Sequence, residues 1–201
     1  DDLAQKVMLE LRRRFYAAPF GRNAQGTMET VQAITIDQIR DFYQSFYHPQ
    51  GAILSVAGNI DFERLQDDVE QLFGDWASQE LPDLVEASPT PTYHHMEHDS
   101  SQTHIGIAYP SVYYSHPDYY QARGAVGVLS DGMSSRLFTE VREKRGLCYS
   151  VYASCHSLRD RGSVLCYAGT TTEQAQETLD VMIAELNRLA AGIEADELQR
   201  L

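Results

Sequence analysis

In Gly132-Met133-Ser134-Ser135-Arg136-Leu137-Phe138, followed by Val141-Arg142-Glu143-Lys144-Arg145-Gly146-Leu147-Cys148-Tyr149-Ser150, a helical pattern gives way to a strand-like one. A helical pattern covers 135–145 and stops at Gly146, a residue free to take the left-handed conformation that ends helices. Lys144 and Arg145, just before it, suit the negative end of the helix dipole. Beyond Gly146, residues 147–157 and 163–169 read as two strands, and Leu158-Arg159-Asp160-Arg161-Gly162 between them reads as the turn of a hairpin. Thr171 and Gln174 then have the spacing that caps a long helix, with Leu179, Met182, Ile183, Leu186 and Leu189 inside and Gly192 at its end. Glu194-Ala195-Asp196-Glu197-Leu198 starts another helix.

Working backward from the quoted stretch, a helical pattern occupies about 117–129, and Gly124 and Gly127 within it permit close packing. Ile105, Ile107 and Tyr109 alternate with smaller or polar residues, which predicts a strand closed by Pro110. Antiparallel hairpins with flanking helices predict an α+β class, not a doubly wound parallel sheet. Between 79 and 93 periodicity disappears and Pro82, Pro89 and Pro91 accumulate, as in an extended linker.

The N-terminal part has a pattern of its own. Leu3, Val7, Leu11 and Phe15 recur at four-residue steps, predicting an amphipathic helix already under way at residue 1. A long connection over 17–30 follows. Thr35 and Gln38 have capping-box spacing for a helix whose Ile39, Phe42, Tyr43, Phe46 and Tyr47 share one face, and which ends at His48 before Pro49. Residues 52–57 between Gly51 and Gly58 suit a buried strand, and Asp61 caps a helix with Leu65, Val69, Leu72 and Phe73 facing inward. The expected organisation is a domain over 1–78, a linker over 79–98 and a second domain over 99–201.

Composition narrows the function. With 16 Lys and Arg against 29 Asp and Glu, the formal charge is −13, and no basic face is available to neutralise phosphates, so no nucleic-acid partner is expected. No apolar run approaches the roughly 20 residues of a membrane span, so none is expected. Cys148, Cys155 and Cys166 lack Cys-x-x-Cys spacing and read as reduced structural thiols, which favours a reducing, cytoplasmic compartment.

Ile39-Arg40-Asp41-Phe42-Tyr43, Tyr47-His48-Pro49, Val56-Ala57-Gly58-Asn59-Ile60 and Phe73-Gly74-Asp75-Trp76 together resemble the latter half of a peptidase domain in the insulinase/pitrilysin and mitochondrial-processing-peptidase family. The stretches quoted at the outset, with Gly192-Ile193 and Glu197-Leu198, resemble that family's inner, substrate-side domain, so nearly the whole chain is covered. The resemblance implies a LuxS/MPP-like α+β fold, an antiparallel sheet with helices on one face, in two domains both truncated here. It implies two halves enclosing a chamber for unfolded peptides. It implies zinc in the full-length protein, held on a helix of the first domain by an inverted His-x-x-Glu-His motif and a later Glu. In that alignment Asp1 falls after those ligands, so no metal is expected in this chain, and no peptidase activity from it alone.

His94-His95-Met96-Glu97-His98 reads literally as His-x-x-Glu-His, with Glu173 and Glu177 at a plausible distance for a third ligand. The context opposes it. The motif follows Pro89 and Pro91 and precedes Asp99-Ser100-Ser101 and a strand, leaving barely two helical turns and no apolar seam. In extended backbone His94 and His98 would lie roughly 13 Å apart, too far for one ion. Adventitious metal on this patch is the expected behaviour. The scattered His48, His104, His116 and His156 read as structural, and Gly132 with Ser134-Ser135 reads as a capped turn, the alternative being an anion-binding helix start.

Arg142 and Tyr149 are the catalytic candidates. One tight corner at Gly146 could aim both into the same space, and in the family an Arg and a Tyr at this spacing complete the active site of the other half. Arg can bind peptide carbonyls through several donors, and a Tyr hydroxyl can donate to the oxyanion of a tetrahedral intermediate. The alternative is a solvated Arg142 and a core Tyr149 in step with Leu147 and Val151. Two functions follow. One is part of a zinc metalloendopeptidase acting on peptides or unfolded protein; the other is a zinc-less partner subunit completing a catalytic one. Either implies a homodimer, or a heterodimer with a second family subunit.

Overall fold

A computed structural model describes residues 2–80, 84–85, 87 and 93–200; Pro82, Pro89 and Pro91 of the expected linker lie outside them. The chain divides into two compact units, one of residues 1–22 with 86–201 and one of residues 23–85.

In the first unit, strands β1 (Gln102–Ser111), β2 (Cys148–Ser157) and β3 (Gly162–Thr171) form an antiparallel sheet in the order β1-β3-β2. The hairpin of β2 and β3 is the one expected, and its turn closes with Leu158 N–H donating to Arg161 O at 2.8 Å. Pro110 does not close β1, which continues to Ser111; proline is tolerated there because β1 is an edge strand. β3 is buried along nearly its whole length, as a strand covered on both faces should be. One face carries Ile105, Ile107, Val164, Cys166 and Ala168. They pack with Val126 and Leu129 of α5 (Tyr119–Ser130), Leu137 and Val141 from the helical turns that follow, and Met182 of α6 (Ala175–Ala191). Burying each such Leu or Val contributes roughly 1.5–3 kcal/mol.

The opposite face receives α1 (Leu3–Phe15), where a Cβ at Gly106 would meet Leu11 Cδ2 at 3.2 Å and Val7 Cγ1 at 3.4 Å. The α+β class stands, but helices cover two faces of the sheet, not one. Tyr16, just past α1, fastens the helix: its hydroxyl lies 2.7 Å from Ser163 Oγ and 3.0 Å from His156 O. The helix expected to be under way at residue 1 is instead capped at Asp2, whose carboxylate accepts from Gln5 N–H at 3.1 Å.

Further differences in this unit have local causes. The capping box expected from Thr171 and Gln174 does not form, because Thr171 still belongs to β3 and α6 starts at Ala175. On α6, Met182, Leu186 and Leu189 pack against the core as expected and Thr178 and Glu185 are buried beside them, whereas Ile183 is exposed. Gly192 ends α6 with φ at 143°, and the short α7 (Ala195–Leu198) follows.

The second unit holds α2 (Met28–Ala33), α3 (Ile36–Phe46) and α4 (Phe62–Phe73). α2 occupies part of the connection expected to be irregular, and Thr27 with Thr30 supplies its capping box. The Thr35–Gln38 box and the Asp61 cap form as expected. Residues 52–57 form no strand, and Ile53 is 92% exposed. A strand needs a hydrogen-bonding neighbour, and no strand occurs among the described residues of this unit. Leu72 and Phe73, expected to face inward, are exposed, as are Ile39, Phe42 and Phe46 of the apolar face of α3. Both ring nitrogens of the buried His48 lack a hydrogen-bond partner among the described residues.

Candidate functional site

The corner at Gly146 is built from two local irregularities. The helix expected over 135–145 is wound as a π-helix over Phe138–Glu143, with Lys144 N–H donating to Thr139 O, five residues back, at 2.9 Å. Gly146 then turns the chain at φ 62°, with nothing within 4 Å of where a Cβ would stand, so its requirement is conformational and not steric. Leu147 N–H reaches back to Val141 O at 3.0 Å, and the Leu147 side chain is buried. Behind it, Thr170 Oγ1 donates to Leu147 O at 2.6 Å and lies 3.1 Å from Thr178 Oγ1, tying the corner to β3 and α6.

The second irregularity is in β2. Cys148 opposes Thr170 and Ser150 opposes Gly169, so Tyr149 is the extra residue of a bulge. Bulges re-aim side chains, and Tyr149 is 84% exposed, which excludes the core placement that its step with Leu147 suggested. The Arg142 guanidinium lies 5.3 Å from the Tyr149 ring centroid and 4.7 Å from that of Phe138. The structure therefore brings the two sequence-selected residues together and adds Phe138, four residues before Arg142, a spacing at which helical side chains meet.

Charge around the corner is sorted. Glu140 accepts from Lys144 Nζ at 2.6 Å and Arg145 Nη1 at 2.7 Å, and these hydrogen bonds hold its carboxyl below the usual range. Arg142 has a looser neighbour, Glu143 Oε1 at 3.9 Å from its Nε. Burial raises the Cys148 thiol, so it is not an activated nucleophile.

Arg136, from the quoted motif, pairs deep in the unit with Glu197, Nε to Oε1 at 2.7 Å and Nη2 to Oε2 at 2.6 Å. Sequence reading noted both residues separately but not the pair, because 61 residues separate them. Ser135 Oγ donates to Gly132 O at 2.8 Å, closing the turn expected there.

His94, His95, Glu97 and His98 are exposed and lie in non-helical backbone, so the two-turn helix a metal motif needs is not formed. Among the described residues no group of three or more His, Cys, Asp or Glu side chains is placed to hold a metal ion. Of the remaining histidines, His104 Nδ1 lies 2.8 Å from Tyr167 OH, His156 Nδ1 lies 3.1 Å from Tyr16 OH, and His116 Nδ1 accepts from Asp118 N–H. The three cysteines are unbridged. Among the described residues no helix is long and apolar enough to cross a membrane.

Known proteins align with this architecture along nearly its whole length. A family model described as "Peptidase M16 inactive domain" matches residues 33–201. A protein of Streptomyces coelicolor described as an uncharacterized zinc protease is 35% identical over 194 residues, covering 90% of this chain and 41% of its own. The Bacillus subtilis uncharacterized zinc protease YmxG is 34% identical, covering 87% and 43%. The chain thus spans about two fifths of the length of the curated relatives it matches. Among solved structures, a peptidase M16 inactive domain from Pseudomonas fluorescens superposes with a TM-score of 0.83 at 25% identity, over 99% of this chain and 50% of that one. A Helicobacter pylori protease shares the fold, with a TM-score of 0.73 at 20% identity over 96% and 49%. With more than half its length matched by the family model, the chain belongs to the peptidase M16 family, the insulinase-type zinc proteases, and carries the family's inactive domain.

Proposed function

We propose that this chain is the substrate-side part of a zinc-dependent metalloendopeptidase that hydrolyses peptides in a closed chamber. In this reading the end of one peptidase-like domain and most of a second lie on this chain, the zinc is held elsewhere in the protein, and the chain is inactive alone. The observation that carries it is the Gly146 corner, where a π-helix and a β-bulge present Arg142 and Tyr149 together on the surface. Single-turn π segments and bulges both concentrate at functional sites. The Arg142 donors suit peptide carbonyls, and the Tyr149 hydroxyl suits an oxyanion. They would act on peptide held by the other half of the chamber, whether that half belongs to the same protein or to a second family subunit.

The test uses the full-length, assembled protein and a flexible peptide. Tyr149→Phe keeps the ring and should lower kcat more than it raises KM, because the hydroxyl acts mainly in the transition state. Loss of one such donor commonly costs about 2.7–4 kcal/mol of barrier. Arg142→Lys should also be harmful, since an ammonium lacks the planar fork. Mixing a subunit that lacks the pair but keeps the metal site with a metal-dead subunit that carries the pair should restore activity. Unchanged kinetics in both single variants would sink the reading.

A further inference from the structure

Arg142 donates no side-chain hydrogen bond among the described residues, and its nearest acidic atom is Glu143 Oε1 at 3.9 Å. An Arg held so loosely would ordinarily sample many rotamers, and ordering it on a substrate would cost side-chain entropy. Two rings restrain it instead. Its guanidinium carbon stands 4.7 Å from the Phe138 centroid and 5.3 Å from the Tyr149 centroid, both within cation–π range. Ring faces engage the π surface of a guanidinium and leave its five in-plane N–H groups unused. Such a hold fixes the plane of the fork without consuming the donors a peptide carbonyl would need.

Phe138 is the better anchored of the two rings. It opens the π-helix, directly after the fully buried Leu137, and is itself half-buried, whereas Tyr149 is 84% exposed on its bulge. The π winding over 138–143 carries both Phe138 and Arg142, so the irregular turn sets their mutual position.

We infer that Phe138 is a positioning residue that holds Arg142, through its ring face, in a preset orientation toward the peptide substrate, with the guanidinium in turn bearing on Tyr149. This rests on the reading of Arg142 and Tyr149 given above, and its test is separable from that one. In the full-length protein, Phe138→Leu keeps apolar bulk and removes the π face, whereas Phe138→Tyr keeps the face. Arginine-selective 15N labelling should show the Arg142 Nε–H proton shifted upfield by the rings in the wild type and in Phe138→Tyr. In Phe138→Leu the signal should move back toward the free-arginine position.

Steady-state cleavage of a flexible peptide should fall on the order of tenfold in kcat/KM for Phe138→Leu, the factor a contact of this kind supports, and stay within about twofold for Phe138→Tyr. The melting temperature should be held in both; if Phe138→Leu unfolds, Phe138→Met takes its place, with the same expectations. An unmoved Arg142 signal on loss of the ring would overturn the inference. So would a moved signal with unchanged kcat/KM in a protein that Arg142→Lys disables, and in that case only this inference falls. If Arg142→Lys is harmless, the reading of the corner falls and this inference with it.

Discussion

Removing the Glu197 carboxylate should be among the most damaging single changes in the first unit. Arg136 and Glu197 have side chains only 3% and 10% exposed and meet through two parallel charge-assisted hydrogen bonds of 2.7 and 2.6 Å. Arg136 Nη2 also donates to Gly192 O at 2.9 Å, and Glu197 accepts from Glu194 N–H at 2.9 Å, so the pair joins the start of the motif helix to the end of α6 and to α7. Chiefly through the Arg136 hydrogen bond, the Glu197 carboxyl is lowered from 4.5 to about 2. Through proton linkage, this depression contributes stability that depends on pH. Because the folded-state value is depressed, that stability is fully present above about pH 4.5 and drains as pH falls through about 2.

Glu197→Ala should therefore cost about 3–5 kcal/mol at neutral pH, since it strands a buried guanidinium. Glu197→Gln should cost less and flatten the acid limb. Arg136→Met combined with Glu197→Leu should recover much of the loss, because a well-packed apolar pair avoids desolvating two charges. Denaturant midpoints of the wild type, Arg136→Met, Glu197→Leu and the double variant supply the cycle, and those of the wild type, Glu197→Ala and Glu197→Gln between pH 7 and pH 2 trace the acid limb. A Glu197→Ala loss below about 1 kcal/mol, the worth of an exposed pair, would refute the reasoning, as would strict additivity of the two sites.

Tyr16→Phe should destabilise the first unit by about 1–3 kcal/mol, because Ser163, completely buried, loses its 2.7 Å partner; thermal melting checks it, and an unchanged midpoint would mean α1 is not fastened there. His94→Ala with His98→Ala should leave the melting temperature unchanged with and without a chelator, since those residues are exposed and non-helical; a large drop in either arm would reveal a structural metal.

The elements of 102–198 and the helix starts at Thr35 and Asp61 were largely legible because their signals are local. Alternation gave β1 and the hairpin, and Gly146, the Thr35–Gln38 box and Asp61 acted as the stop and start marks they resemble. What was not legible depended on partners distant in sequence. The four-residue steps of α1 reveal an apolar stripe, but not that β1, about a hundred residues away, receives it, nor that Gly106 makes room for Leu11. The apolar faces of α3 and α4 were equally clear, yet Phe42, Phe46 and Leu72 remain exposed, because a periodic pattern identifies a face and not its cover.

The candidate site marks the same boundary more sharply. Spacing alone placed Arg142 and Tyr149 on either side of a turn, but in a regular helix and strand Tyr149 would keep step with Leu147 and enter the core. Two irregularities prevent that. The π winding of 138–143 inserts an extra residue into the helix, and the bulge inserts one into β2, so Leu147 can be buried between them while Tyr149 is turned outward. Neither irregularity can be read from a local pattern, because each is fixed by hydrogen bonds of the Leu147 backbone to distant or buried partners: Leu147 N–H donates to Val141 O, and Leu147 O accepts from the Thr170 hydroxyl. The corner thus holds two departures from regular geometry next to a fully packed core. That core absorbs their cost through Val141, Leu147 and the Thr170–Thr178 contact, and what the departures achieve is the joint exposure of one guanidinium and one phenol.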